Sequence, residues 1–470
     1  MEDNTQKKSW LERFPNGIVL LFGIIILVGL LSYIIPAGKY ETMIVDGRKL
    51  IDPNSFHFVQ QKPVAVFDFF TVIPAGLQSA GALIFMIFLI GGAISLFEAT
   101  GAIGGAIGWF AKRFGHERSS WVLMLITTFF ACLGAFPGMM EAAIPFAPLC
   151  VGIALALGYD VIVGISIAVL GINLGWTSGP TNPWTVGIGH SLAGLPMFSG
   201  IEYRLLIFAT FLLIGNAFIL RYARRVKADP TTSVVYGLTD KFQGGVRIDL
   251  DNMTLSGRHK AILLVFVATL TIIIYGTLQL KWGIPQMSAL YIIGGIIAGI
   301  MAGYSANQIA DTLIEGGKAI FPGAMAVGLA RAIGVVMDNA SITDTIIYYL
   351  SLPLKELSPV LSGVAMFIVQ SILNLFVPSG SGLAMLTMPI MLPLADIIHL
   401  NKQIAVLAFQ FGDGLTNICY PTVAVVIAYL TYAKVPFPKW LQYILPYAVL
   451  TSLAAAAFLI LAVVINYGPF

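Results

Sequence analysis

FVPSGSGLAMLTMPIMLP, residues 376–393, is apolar enough to lie in a bilayer, yet it carries the helix-breaking run Pro378-Ser379-Gly380-Ser381-Gly382. Each unpaired backbone N–H or C=O in hydrocarbon costs several kcal/mol. Broken backbone at membrane depth is tolerated only where protein or a water-filled cavity satisfies it. The stretch therefore reads as a re-entrant hairpin, and a search for its counterpart decides the fold.

The membrane premise rests on composition. Of 470 residues, 58% are hydrophobic and 10% are charged; a soluble domain carries about 25% charged residues. Apolar runs long enough to cross a bilayer occur at 17–36, 201–220, 261–280, 286–303, 359–377 and 444–466. With the interrupted stretches added, the pattern suggests about ten to twelve crossings. Residues 17–36 read as an uncleaved first span rather than a signal peptide. Basic residues gather before that span (Lys7, Lys8, Arg13), at Lys112, Arg113 and Arg118, and along 221–260. The positive-inside rule puts all three groups in the cytoplasm and the N-terminus with them. Topology accounts for the basic run, so no nucleic-acid partner is invoked. Cys132, Cys150 and Cys419 lie in apolar surroundings without metal-like spacing and read as free thiols.

The counterpart lies about 240 residues earlier. GGAISLFEATGAI around Glu98 faces AIGVVMDNASIT around Asp338. AFPGMMEAAIPFAPL (135–149) faces LFVPSGSGLAMLTMPIMLPL (375–394). WTSGPTNPWTVGIGHSLAGLP (176–196) faces FGDGLTNICYPTVAVVIAYL (411–430), with Thr181-Asn182 matching Thr416-Asn417. Repeats with Gly/Pro-broken apolar segments in corresponding places are a mark of secondary transporters. The expected fold is an all-α polytopic membrane protein built from two inverted structural repeats. Each holds a re-entrant hairpin and a discontinuous transmembrane helix. The expected organisation is an N-terminal membrane repeat over 1–225, a cytoplasmic linker over 226–257 and a C-terminal membrane repeat over 258–470. A small external segment, 38–66, includes a hairpin turning at Asp46-Gly47.

Chemistry is sought at the breaks. Interrupting a helix frees carbonyls on one half and N–H groups on the other. With the Thr181, Asn182, Thr416 and Asn417 side chains these could hold Na⁺ or a substrate carboxylate; the alternative is that Thr and Asn only cap the helix ends. The hairpin tips differ. Ser379, Gly380, Ser381 and Gly382 form a neutral, N–H-rich cradle, whereas Gly138 is followed by a carboxylate, Glu141. Arg331 sits in an apolar helix with Asp338 seven residues later on the same face. It could clamp a substrate carboxylate, or neutralise Asp338, Glu98 or Glu141. Asp413, Asp338 and Glu141 are the candidates for ion or proton coupling, and Asp413 could equally be an N–H-capping residue. Glu98 reads as an interface residue. Asp160 and Asp396 read as helix-start residues. Among the aromatic residues Trp176, Trp184, His190 and Tyr420, only Trp184 is placed in the site. His190-Ser191 supplies no convincing dyad and no HExxH pattern occurs, so an enzyme is not expected. A channel would need a continuous polar path.

PSGSGLAMLTMPIMLPLAD (378–396), QIAVLAFQFGDGLTN (403–417), YIIPAGKYE (33–41) and FPGMMEAAIPFAPL (136–149) together resemble the YfcC branch of the DcuC-like anaerobic C4-dicarboxylate carrier family. The resemblance spans most of the chain. It implies a bacterial inner-membrane secondary transporter of the ion-transporter superfamily, with scaffold helices that dimerise and elevator-type alternating access. It implies no cofactor beyond Na⁺ or H⁺ as coupling ion. The branch includes basic amino-acid or arginine–ornithine exchangers. One intramembrane cation against several acids favours an amino acid as substrate, probed by counterflow; a C4-dicarboxylate symporter or exchanger is the alternative. The first hairpin lacks the small hydroxyl residue often found before the acid in that branch, which bears on specificity.

Overall fold

In lipid a helix satisfies its own backbone, so a chain this apolar is obliged to fold as helices. A computed structural model describes residues 17–45, 48–52, 54–106, 109, 119–237, 255–280, 282 and 284–468. In chain order the helices are α1 (Gly17–Leu31), α2 (Asp68–Ser79), α3 (Gly81–Ala99), α4 (Ser119–Ala135), α5 (Ala147–Ala156), α6 (Val161–Ser178), α7 (Ile188–Ala193), α8 (Ile201–Ala228) and α9 (Gly257–Gln279). They continue with α10 (Ile284–Ala302), α11 (Ala306–Asn339), α12 (Thr343–Ser351), α13 (Pro359–Phe376), α14 (Gly380–Ile397), α15 (Lys402–Thr416), α16 (Ala424–Tyr432) and α17 (Phe437–Val464). After α1, β1 (Gly38–Lys39) pairs antiparallel with β4 (His57–Phe58), and β2 (Thr42–Val45) with β3 (Arg48–Ile51). Val45 stands opposite Arg48 at the end of the β2–β3 ladder.

Asp46-Gly47, the basic residues before α1, Lys112, Arg113, Arg118 and the linker stretch 238–254 lie outside the described residues. Among the described residues six helical spans are long and apolar enough to cross a membrane, and eight if two bent pairs each count as one. The bent pairs were not anticipated. Asp68–Ser79 meets Ile84–Ala99 at 59°, and Ala306–Pro322 meets Ala324–Asn339 at 43°. Pro322 explains the second bend, since its ring removes one helical donor and crowds the preceding turn. Glu98 and Asp338, the acids that open the sequence repeat, stand in the last turns of these bent pairs. α11 packs against both α2 and α3.

The rest of the core is centred on α6 and α15. α4 and α5 both pack on α6, α13 and α14 both pack on α15, and α6 packs on α15. Every residue of α6 is buried, as is nearly all of α15 with Gln403, Gln410 and Asp413. Lipid offers no hydrophobic drive for one apolar helix to bury another, so such burial points to packing and polar contacts inside the protein.

Asp160 caps α6 as expected. Its Oδ1 accepts from Val163 N at 3.0 Å, and its Oδ2 accepts from Tyr222 Oη and Ser233 Oγ, each at 2.6 Å. Asp396 does not play the matching part. It lies inside α14 and pairs with Lys402 at 3.2 Å, while Asn401 caps α15 by accepting from Gln403 N. Four residues separate α14 from α15, as four separate α5 from α6, so the position that matches Asp160 is Asn401 and not Asp396. Asp160→Ala is expected to cost about 1–2 kcal/mol, read as a lower thermal midpoint with unchanged substrate affinity.

Candidate functional site

The first broken helix is built onto the first hairpin. α6 stops at Gly179, whose φ of 45° is left-handed. Thr181 N then donates to Ala135 O at 3.3 Å and Thr181 Oγ1 to Phe136 O at 3.2 Å. Asn182 Oδ1 accepts from Trp184 N at 3.0 Å and so caps the π-helical turn Pro183–Gly187. Gly138, with φ 64°, lies against this cap: a β-carbon there would stand 2.7 Å from Asn182 Cγ and 2.9 Å from Trp184 Cδ1. Only glycine fits both the conformation and the space. Glu141 is the second residue of the helical turn Met140–Phe146, and its side chain lies outside the described residues.

The second break is held from the side by Asn374, near the end of α13. Asn374 Nδ2 lies 2.9 Å from Asp413 O, 2.9 Å from Thr416 Oγ1 and 2.8 Å from Asn417 Oδ1. One amide carries two hydrogens, so three acceptors share them. Thr416 Oγ1 donates to Gly412 O at 2.7 Å. The Thr-Asn side-chain oxygens at both breaks are thus engaged with their surroundings, while Asn182 Nδ2 is buried without a partner among the described residues.

Trp176 joins the two halves. Its Nε1 donates to Asp413 Oδ2 at 2.6 Å, and its carbonyl accepts from Gln410 Nε2. Asp413 is 1% exposed. The tip of the second hairpin closes on this pair at Gly380. A β-carbon there would lie 2.5 Å from Thr185 Cγ2, 2.9 Å from Trp176 Cζ2 and 3.0 Å from Asp413 Oδ2. Asn417 Nδ2 faces Met140 Sδ at 3.9 Å, which brings the second break to the first hairpin.

Arg331 and Asp338 occupy a separate chamber. A cavity of about 390 Å³ is lined by Arg331, Asp338, Thr343, Pro378, Ser379 and Gly382, among others. Arg331 Nε donates to Ser79 Oγ at 3.2 Å, and Asp338 Oδ1 accepts from Thr343 Oγ1 at 3.3 Å. No salt bridge joins Arg331 to an acid among the described residues. Ser379 caps α14, its Oγ accepting from Gly382 N at 3.3 Å, so the first turn of α14 opens on this cavity. Ser381 is half-buried in the same turn. Glu98 is elsewhere, accepting from Tyr432 Oη at 2.9 Å.

The model of the family described as the C4-dicarboxylate anaerobic carrier, DcuC, matches residues 14–464. The chain belongs to this family. It is a multi-pass membrane carrier, not an enzyme. It is 31% identical to the Escherichia coli K12 protein named "Putative basic amino acid antiporter YfcC", over 91% of this chain and 92% of that one. It is 27% identical to an uncharacterized protein of Haemophilus influenzae, over 95% and 96% of the two chains. The transporter MtrF of Neisseria gonorrhoeae aligns over 96% of both chains at 14% identity, with a TM-score of 0.46.

Within this carrier the buried cluster gathers Gly138, Asn182, Gly380, Asp413, Thr416 and Asn417, whereas Arg331, Asp338 and Ser379 share the cavity. Trp184 is half exposed at the edge of the first hairpin. Reading the sequence passed over Trp176, Asn374, Thr185 and Gln410. Trp176 directly precedes the first break, and Asn374 is a polar residue in an apolar run four positions before Pro378, so both carried a signal. His190 is committed elsewhere: its Nδ1 accepts from Phe198 N at 2.9 Å and its Nε2 faces Gln403 Oε1 at 3.0 Å.

Proposed function

We propose that this carrier moves C4-dicarboxylates across the bacterial inner membrane as a secondary symporter or exchanger. The observation that carries the reading is the cavity in which the Arg331 guanidinium and the N-terminal turn of α14 line one space. A guanidinium binds a carboxylate through paired, charge-assisted hydrogen bonds. The first N–H groups of a helix have no partner within the helix and attract a second carboxylate. Two such anchors suit a short dianion. The family description supports the same substrate class. This reverses the preference that a count of acids suggests, because Asp413 is engaged by Trp176 and Glu98 by Tyr432.

A basic amino acid is the second reading. Asp338 in the same cavity favours it, as does the name of the Escherichia coli relative.

The mechanism proposed is elevator-type alternating access by two inverted repeats, 1–225 and 258–470, joined by the cytoplasmic linker 226–257. The shared packing order of α4–α6 and α13–α15 supports it. The same reading sets the end of α8 and the N-terminus in the cytoplasm, and Arg221, Arg224, Arg225 and Lys227 at the end of α8 support it through the positive-inside rule. The bent pairs would form the static part and the surface through which a homodimer assembles.

Counterflow into proteoliposomes tests the substrate. Labelled succinate is expected to accumulate against internal succinate, with fumarate competing and arginine and ornithine inert. Saturable arginine–ornithine exchange with no succinate movement would overturn the first reading in favour of the second.

A further inference from the structure

Arg204, in the first turn of α8, is 0% exposed, and its Nε, Nη1 and Nη2 all lack a hydrogen-bond partner among the described residues. No salt bridge reaches it among those residues. The acid nearest in sequence, Glu202, stands two positions away, where side chains of a helix do not face each other. His190 is within electrostatic reach but offers no acceptor. Its Nδ1 accepts from Phe198 N, so its Nε2 carries the hydrogen and donates to Gln403 Oε1. The Tyr467 hydroxyl interacts with the guanidinium without hydrogen-bond geometry, and gives its own hydrogen to Gly200 O at 2.7 Å.

A guanidinium cannot escape burial by losing its proton. Buried charge without a counterion, and buried donors without acceptors, are both costly. More unspent donors stand at the same place. Gly200 caps α8 with φ 70°, and no side chain caps the helix. The first N–H groups of α8 therefore have no partner within the helix, and they form the positive end of a 28-residue dipole. A long helical side chain leans toward its own N-terminus. The Tyr467 hydroxyl fixes that direction for Arg204, since it meets the guanidinium and the Gly200 carbonyl together. Side-chain and backbone donors thus converge with no anion to receive them. Because Arg204 is wholly enclosed, a monatomic anion suits the place better than a phosphate headgroup.

We propose that a halide ion of chloride size binds between the Arg204 guanidinium and the N-terminal amides of α8, as a structural anion of this carrier. It secures the joint between the start of α8 and the segment from α17 onward. Tyr467 already holds Gly200 there, and Tyr203 Oη donates to Phe458 O at 2.6 Å. The site does not depend on which substrate is carried.

The test uses the purified full-length protein without substrate. Thermal unfolding is followed in sodium gluconate as chloride, bromide or phosphate replaces gluconate, together with equilibrium binding of ³⁶Cl⁻. Chloride and bromide are expected to raise the midpoint saturably, and phosphate to do so far less. Arg204→Met fills much of the same space without charge, and is expected to fold and to lose both signals. Arg204→Lys keeps the charge but not the planar fork, and is expected to raise the half-saturating chloride concentration by about tenfold. It also keeps the proposal testable should the Met variant not fold. The proposal is overturned if wild type binds no ³⁶Cl⁻, if phosphate raises the midpoint as chloride does, or if either variant binds chloride as wild type does.

Discussion

Arg331→Ala is expected to raise the half-saturating concentration of the transported carboxylate by about 10- to 100-fold, with the fold intact. A hydrogen bond to a charged partner contributes about 1.5–3 kcal/mol, and each 1.4 kcal/mol is about tenfold in affinity. Arg331 faces open cavity and among the described residues makes one bond within the protein, to Ser79, so its removal should hardly move the thermal midpoint. Arg331→Lys keeps the charge but loses the planar fork, and an intermediate loss is expected. Concentration-dependent counterflow in proteoliposomes separates the cases. Wild-type half-saturation in Arg331→Ala would remove this residue from the substrate and leave the α14 turn as the anion anchor. A second comparison reports on Asp338, which shares the cavity. If the substrate carries a positive group, Asp338→Asn should weaken binding; if it is a dianion, the same change should leave binding equal or tighter.

The breaks were legible in the sequence because lipid makes them conspicuous. A Pro-Ser-Gly-Ser-Gly run in an apolar context has few places to go, and its counterpart Pro137-Gly138 marks the same device in the other half. Thr181, Asn182, Thr416 and Asn417 could be placed at the ends of broken helices for the same reason. The partners of those ends could not. Asn374 reaches Asp413 from 39 positions away, and Trp176 reaches it from 237. Which polar residue of an apolar helix faces which break depends on how two helices rotate against each other, and periodicity in a buried helix is silent on that. α6, buried on all sides, carries no amphipathic signal to orient Trp176. The bends before Glu98 and Asp338 were hidden for another reason. Proline within a membrane helix is common, and sequence does not tell a mild kink from a bend of 43°. The error over Asp396 came from matching acids between halves, when the cap of α15 had passed to Asn401.

Gly380→Ala should cut the initial rate of counterflow by about tenfold or more, whereas Gly382→Ala, two residues along the same tip, should stay within about threefold of wild type. Flexibility alone predicts similar outcomes, since both are glycines in one PSGSG run and neither has a positive φ. Packing predicts different ones. A methyl group on Gly380 meets Thr185 Cγ2 at 2.5 Å, Trp176 Cζ2 at 2.9 Å and Asp413 Oδ2 at 3.0 Å. These atoms come from the π turn, α6 and α15, so no single side chain can move to make room. Overpacking of this kind costs about 1–3 kcal/mol, and here the strain falls on the Trp176–Asp413 hydrogen bond. A methyl group on Gly382 meets Ser379 Oγ at 3.1 Å, within its own helical turn, where a rotamer change relieves it. Equal losses in the two variants would mean that the tip works as a hinge and that its contact with Asp413 is incidental. A selective loss at Gly380 would tie the substrate-facing turn to the buried carboxylate through one missing β-carbon.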